Sequence, residues 1–242
     1  MNILQNHATS VTTDTEQSTF PATNLELEYP SAIWKATAST QTGIITIVLP
    51  VGFNAFFIGN TNATSCTWSL SGGDSGASVV DVYDDYTSYF TGVENGYPRN
   101  IMTTFDYQTT AQTLTVTLVT TDTTIQAGVC VAGLAYAYNN PDYGSFQLST
   151  KDASIEKGLL SGNKYYKKRN ISRQFGLSFS EDQSEGNYLM QQYIDNGKIS
   201  RAIDVLGSGR RQDLVFGRLE EPSGSRVMFQ RNSVGIQITE EV

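Results

Sequence analysis

Residues 112–121 read QTLTVTLVTT, and this stretch decides the fold class. Apolar side chains recur at every second position, with threonine between them. The apolar positions are Leu114, Val116 and Leu118, and the threonines are Thr113, Thr115 and Thr117. Because successive side chains of a strand point to opposite faces, this alternation predicts a strand with a buried apolar face and an outer threonine face. β-branched threonine favours such an exposed sheet surface.

Similar strand signals surround this stretch. Residues 43–50 (GIITIVLP) and 126–138 (QAGVCVAGLAYAY) are apolar runs, and the second is predicted to be buried on both faces. Residues 53–60 and 65–73 are further short strands, and glycine or proline turns separate them. The fold class is therefore mainly all-β, beginning with an N-terminal antiparallel β-sandwich.

One segment departs from the strand pattern. Residues 171–179 alternate as a strand, after which Ser180 and Gln183 have the spacing of a helix capping box. Acidic residues follow Ser180, and Gly197 stands where a helix would stop. We expect one α-helix at about 181–196, packed on a smaller C-terminal β-sheet domain.

Composition divides the chain into domains. Residues 1–150 have 2 basic and 12 acidic residues, a net charge of 2 − 12 = −10, whereas residues 151–242 have 14 and 12, a net of +2. The first 20 residues are polar and show no periodicity. We therefore predict a flexible N-terminal arm at 1–20, an acidic threonine-rich sandwich at 21–140, and a β-rich domain with one packed helix at 141–242.

Several function classes are disfavoured. No run of 18 apolar residues is present to span a membrane, and the first residues lack the features of a signal peptide, so synthesis in a cytoplasm is expected. The acidic first part argues against nonspecific nucleic-acid binding. His7 is the one histidine, so a histidine metal cluster is excluded, and its place in the polar N-terminal segment disfavours a catalytic triad. Cys66 and Cys130 are expected to be buried thiols, and the alternative is a disulfide between them. No enzyme activity, metal or cofactor is predicted.

Two regions are candidates for a ligand or an interface. One is an exposed loop tryptophan, and the other is an acidic stretch with aromatic neighbours. The residues are Trp34, Asp84, Asp85, Tyr86, Tyr89 and Tyr97. Aromatic rings beside carboxylates can bind a sugar, and the carboxylates can hold calcium. The alternatives are a tryptophan tucked under its own loop and a solvated acidic loop. Carboxylates adjacent in an extended chain point to opposite sides, which disfavours glycoside hydrolysis.

A third candidate is the basic, aromatic stretch KYYKKR at 164–169. Charge and stacking could bind nucleic acid there. Because the stretch is short and isolated, a subunit contact is the better interpretation. The residues predicted to make that contact are Tyr165, Tyr166, Lys167 and Lys168.

The order of these pieces resembles the layout of structural proteins of tailed-bacteriophage tails. In those proteins a galactose-binding-like (discoidin-like) β-sandwich, a jelly roll, ends on a Gly/Ala-rich strand and is followed by a small β-rich domain. The matching positions are Asn24, Leu25, Pro30 and Trp34 to Ala36, then GVCVAGLAYAY at 128–138, then Arg173, Phe175, Leu177 and Phe179, and finally Phe216 to Leu219. The resemblance covers about residues 20–240.

The resemblance implies a virion component and no reaction. Its place would be the tail tip, the baseplate, a connector or a fibre-anchoring position, with contacts to other tail proteins and to copies of itself in a ring or another oligomer. Sugar-binding members of the galactose-binding-like class usually bring basic and aromatic residues to the loops at one end of the sandwich, and this domain has two basic residues in all, which disfavours carbohydrate binding by that mode. A carbohydrate-binding module that contributes to host-surface recognition is the alternative function.

Overall fold

The computed structural model describes residues 1–27, 29–78, 100–138, 142, 145–152, 154–158, 164–167, 171–182, 200–207, 213–220, 223–228 and 231–241. The chain forms two compact units. Unit 1 comprises Met1–Tyr138 and Arg201–Phe216, and unit 2 comprises Asn139–Ser200 and Gly217–Val242. The sequence predicts one domain at 141–242, but Arg201–Phe216 belong to unit 1.

The described residues are strands almost throughout, as the sequence predicts. A 3-10 helix occupies Ala22–Glu26. In chain order the strands are β1 (Asn2–Asn6), β2 (Ser10–Thr13), β3 (Trp34–Lys35), β4 (Thr42–Leu49), β5 (Phe53–Gly59), β6 (Ser65–Leu70), β7 (Ser75–Ser78), β8 (Ile101–Gln108), β9 (Gln112–Val119), β10 (Gln126–Ala127), β11 (Val129–Ala137), β12 (Gln147–Asp152), β13 (Ile155–Gly158), β14 (Lys164–Lys167), β15 (Ile171–Asp182), β16 (Ser200–Asp204), β17 (Leu214–Leu219), β18 (Ser223–Met228) and β19 (Arg231–Glu240). In this part of the chain no helix is long and apolar enough to cross a membrane.

Unit 1 contains two antiparallel sheets. Sheet 1 has the strand order β16-β1-β11-β5-β8, and sheet 2 has the order β2-β4-β9-β6-β7. Strand β9 contains the threonine stretch, and it lies at the centre of sheet 2. Leu114, Val116 and Leu118 are buried, while the threonines between them face outward, so the predicted alternation is confirmed.

One hydrophobic core lies between the two sheets. Phe53, Phe56 and Ile58 from β5 meet Ile45 and Ile47 from β4 in this core. Burial of each such large side chain contributes about 1.5–3 kcal/mol to stability. Two antiparallel sheets that share one core form the β-sandwich that the sequence predicts.

Sheet 1 is buried on its second face as well. Ala55 and Phe57 of β5 point away from the main core and pack with Ala202, Leu214 and Phe216. The rings of Phe57 and Phe216 stack with their centroids 6.2 Å apart. This double burial explains the nearly continuous apolar run of β5 and of the first part of β11. The prediction that the strand in 126–138 is buried on both faces is confirmed for residues 129–133, whereas residues 134–138 are half-buried or exposed.

The N-terminal residues are part of unit 1, and the prediction of a flexible arm at 1–20 is wrong. Strand β1 lies between β11 and β16 and pairs with both. Strand β2 pairs with β4 in sheet 2. Leu4 is fully buried. The reason is long-range pairing: strands distant in sequence supply the hydrogen bonds and apolar contacts that order these polar-looking residues.

Unit 2 is built on the pairing of β12, β15 and β19. Strand β15 pairs with β12 on one side and with β19 on the other. The far edge of β19 pairs with β18 and with Gly217–Leu219 of β17, while β13 and β14 form a separate hairpin. Phe175, Leu177 and Phe179 are buried, as the alternation in 171–179 predicts.

The predicted helix does not begin at residue 181. Glu181 and Asp182 are the last residues of β15, opposite Asn232 and Arg231 of β19. Strand pairing with β19 therefore overrides the capping signal at Ser180. The remainder of the predicted helix, at 183–196, lies outside the described residues.

Gly133 of β11 is predicted to be essential for the placement of β1. A Cβ at this position would overlap the carbonyl oxygen of Gln5 and would lie 2.8 Å from the backbone nitrogen of His7. We expect Gly133→Ala to destabilise the protein by about 2 kcal/mol or more, because backbone on β1 would have to shift. Thermal or denaturant unfolding measures the loss.

Gly176 of β15 is the matched control. A Cβ there would lie 3.6 Å from its nearest neighbour, the Cβ of Gln147, which is an ordinary contact. Gly176→Ala should therefore leave stability unchanged or raise it by about 0.5 kcal/mol through lower entropy of the unfolded chain. Equal losses in both variants would contradict this account of Gly133.

Candidate functional site

Trp34 is not an exposed anchor, and that prediction is wrong. Its exposed fraction is 0%, and it belongs to the core between the sheets of unit 1. The indole Nε1 donates a hydrogen bond to the carbonyl oxygen of Thr15 at 3.1 Å. Gly43 leaves the space for the ring, since a Cβ there would lie 2.5 Å from Cη2 of Trp34. The carbohydrate-binding interpretation therefore loses this aromatic residue.

The acidic and aromatic candidates lie outside the described residues. These are Asp84, Asp85, Tyr86, Tyr89 and Tyr97. Their role in ligand or interface contacts stays a prediction.

The basic stretch is described in part. Tyr165, Tyr166 and Lys167 belong to β14, which pairs with β13 as a hairpin. Lys168 lies outside the described residues. The predicted subunit contact at these four residues stays a prediction.

The side chains with nucleophile or base chemistry are His7, Cys66 and Cys130, and each is hydrogen-bonded or buried. His7 follows β1, its backbone N–H donates to the carbonyl oxygen of Ala132 at 2.8 Å, and its Nδ1 lies 3.2 Å from the carbonyl oxygen of Gly52. Cys66 and Cys130 are free, buried thiols. Burial raises the pKa of the Cys66 thiol to about 11, and burial with the nearby Glu26 carboxylate raises the pKa of Cys130. Both thiols are therefore protonated and poorly nucleophilic at neutral pH.

The described residues contain no cluster of three His, Cys, Asp or Glu side chains that could hold a metal ion. Sequence reasoning missed one exposed surface of the described residues, an edge strand of unit 2.

The edge strand is β12. One side of β12 is hydrogen-bonded to β15, and no described strand pairs with its other side. Residues 147–151 are exposed. Leu148 is 53% exposed and Phe146 is 38% exposed, and the Phe146 ring lies 6.2 Å from the ring of buried Phe175. Since Leu148 pairs with Phe175, the apolar face of β15 continues onto the edge of the sheet.

A buried ion pair holds the strand that supports this edge. Arg173 of β15 donates from Nε to Glu240 Oε2 at 2.9 Å and from Nη2 to Glu240 Oε1 at 2.6 Å. Glu240 belongs to β19, and the neighbouring residues Gln174 and Thr239 are paired across the two strands. Bidentate geometry compensates for part of the desolvation of both charges. The two hydrogen bonds between Arg173 and Glu240 can form only in this register, so the ion pair favours the observed alignment of β15 with β19. Strand β12 is hydrogen-bonded to β15, and its position therefore depends on that alignment.

The comparisons with known proteins give little. No family model matches the chain, and no curated protein matches it. One similar solved structure is described as the X-ray crystal structure of reduced XRCC1 bound to DNA pol beta catalytic domain. The alignment has a TM-score of 0.37 and 16% identity, and it covers 55% of this chain and 99% of that chain. A likeness at this TM-score supports no conclusion about the present protein.

Substitution of Trp34 tests whether it is structural. We expect Trp34→Ala to lower the free energy of unfolding by about 3–5 kcal/mol, because it empties a fully packed site. Denaturant unfolding measures this loss. Tyr29→Ala is a control, since Tyr29 is an aromatic residue of the same region with 59% exposure. A Trp34→Ala protein as stable as the Tyr29→Ala protein would contradict the structural role.

Proposed function

We propose that the chain is a non-enzymatic structural component of a bacteriophage tail. It acts through contacts with other virion proteins and with copies of itself, at the tail tip, the baseplate, a connector or a fibre-anchoring position. The order of sequence motifs described above is the basis for the phage assignment. The edge of β12, with which no second described strand pairs, is the structural observation that supports a role in assembly.

An open sheet edge presents unpaired backbone N–H and C=O groups. Such an edge is a template for an additional strand, and proteins that do not use it usually block it with proline, bulges or charged side chains, lysine especially. The described pairing of β12 with β15 is regular along Gln147–Asp152, without a register shift. Lys151 and Asp152 are charged, so a partner strand would add along the uncharged part of β12, residues 147–150.

The side chains of this edge favour a protein partner. In strand addition the backbone hydrogen bonds supply affinity, and pockets for alternate side chains supply specificity. Phe146 and Leu148 would be covered by an added strand together with the apolar side chains of that strand. A small polar ligand would leave both apolar groups in water. Protein–protein contact is thus the better use of this surface.

Location in the particle tests the assignment. We expect antibodies against the chain to label the tail of the phage whose genome encodes it, and mass spectrometry of purified virions to detect it in fixed stoichiometry. Electron microscopy of labelled particles gives the position. Virions that lack the protein, in a lysate that contains it, would overturn the proposed function.

A charge on β12 tests the role of the edge. We expect Leu148→Lys to lower incorporation into virions at least tenfold, because a lysine on an edge strand opposes strand addition. A phage lacking the gene is complemented with the variant, and the copies per virion are counted by mass spectrometry.

Leu206→Lys is the matched control, because Leu206 is also an exposed leucine but belongs to unit 1. It should be incorporated like the unaltered protein. Both variants are first checked for unchanged thermal unfolding. If Leu148→Lys is incorporated as well as Leu206→Lys, the edge of β12 is not the assembly contact.

A further inference from the structure

The exposed edge of β12 carries an uncharged segment. Residues 145–150 read SFQLST, with no charged side chain and no proline, and residues 146–150 are exposed. No second described strand pairs with the outer backbone groups of this segment. Because two antiparallel copies of one strand are related by a two-fold axis, the same segment of another copy can supply the missing partner.

Strand geometry restricts the register of such a contact. With the two-fold axis perpendicular to the sheet, opposite residues have side chains on the same face, so the axis must lie between one residue and its own copy. An axis at Ser149 would set the Asp152 carboxylate opposite Phe146. An axis at Thr150 would set it opposite Leu148. Both arrangements desolvate a charge beside an apolar side chain.

An axis at Leu148 avoids this cost and extends an apolar row across both copies. Leu148 lies opposite Phe175 of β15, and Phe175 lies opposite Ile238 of β19. The row therefore runs from Ile238 through Phe175 to Leu148 in one copy and continues in reverse order in the other. Phe146 would lie opposite Thr150 and diagonal to Leu148 of the other copy, so both exposed apolar side chains lose contact with water.

Charge favours unit 2 as the place where two copies meet. Unit 1 contains 5 basic and 13 acidic residues, a net charge of 5 − 13 = −8, whereas unit 2 contains 11 of each, a net of zero. A contact through unit 2 therefore brings two neutral units together. Lys151 borders the paired segment, but the strands run in opposite directions. Lys151 and its copy thus lie about 20 Å apart, which exceeds the Debye length of about 8 Å.

We propose that β12 pairs antiparallel with β12 of a second copy of this chain, with the two-fold axis at Leu148. This pairing rests on the assembly role proposed above for the β12 edge, and it makes a second copy the partner. Residues 146–150 of the two copies form about four to six hydrogen bonds. The contact is small, so the dimer is weak in dilute solution and gains strength where many copies are held together.

Sedimentation of the full chain, from about 1 µM to about 1 mM, measures the self-association. We expect a monomer–dimer equilibrium. Leu148→Lys and Leu148→Glu should each raise the dimer Kd at least tenfold, because like charges meet at the two-fold axis. An equimolar mixture of the two variants should restore association, because opposite charges then meet.

Cysteine cross-linking measures the register. Under mild oxidation Leu148→Cys should form a disulfide-linked dimer, because opposite Cα atoms lie about 4.5–5.5 Å apart. Gln147→Cys and Ser149→Cys should cross-link poorly alone and efficiently when mixed, since these two positions lie opposite each other. The native thiols, Cys66 and Cys130, are buried and keep the background low. Efficient cross-linking of Ser149→Cys or Gln147→Cys alone would contradict the register.

Leu206→Lys is the charge control, because Leu206 is an exposed leucine of unit 1, and it should leave Kd unchanged. Thermal unfolding of every variant is compared first. A chain that stays monomeric up to about 1 mM, or a dimer that Leu148→Lys does not weaken, would overturn this pairing. A monomeric chain whose Leu148→Lys variant is still lost from virions would assign the edge to a different virion protein and leave the proposed function standing.

Discussion

The insertion of β1 between β11 and β16 is the constraint on which unit 1 depends. β1 pairs with strands that follow it by more than a hundred residues, and β16 pairs with it only after the whole intervening chain has been made. Leu4 then lies in the second core, where Leu214 and Phe216 cover Phe57. Removal of β1 would leave both neighbouring strands with an open edge. Because a long loop must close before these contacts form, they are entropically costly. The pairing of β1 with β11 and β16 is therefore expected to be a slow step in the folding of unit 1.

The sequence predicts those parts of the fold whose signal is local. Alternation in 112–121 and in 171–179 identifies β9 and β15 and their buried faces, because side-chain period 2 needs no knowledge of the partner strand. The sandwich follows from the number of such strands. The two wrong predictions concern segments whose structure depends on residues distant in sequence. The polar residues near β1 and β2 suggest disorder, and the capping signal at Ser180 suggests a helix. In both segments, pairing with a distant strand overrides the local signal.

Contacts between residues distant in sequence also decide where the candidate site residues lie. Pro30 and polar neighbours suggest that Trp34 is exposed, whereas Gly43 opens the space that buries it. The β12 edge depends on which of the described strands pair with one another, and a single strand pattern does not show this. The outward threonines were predictable from β9 alone. The Arg173–Glu240 pair is likewise a property of two strands: a slip by one residue would separate its charges and turn the apolar side chains of β15 outward.

The chain path has a consequence for how such a protein can evolve. Unit 1 is made of two separate stretches of sequence, and residues 139–200 of unit 2 are inserted between them. A single recombination point near residue 138 would therefore deliver a sandwich without Ala202, Leu214 and Phe216, whose absence exposes Phe57 on the second face of sheet 1. The first unit cannot be exchanged between genes as one contiguous cassette. Exchange of residues 139–200 alone would separate β15 from its partner β19, so an exchange that keeps both units whole must replace 139–200 and 217–242 together.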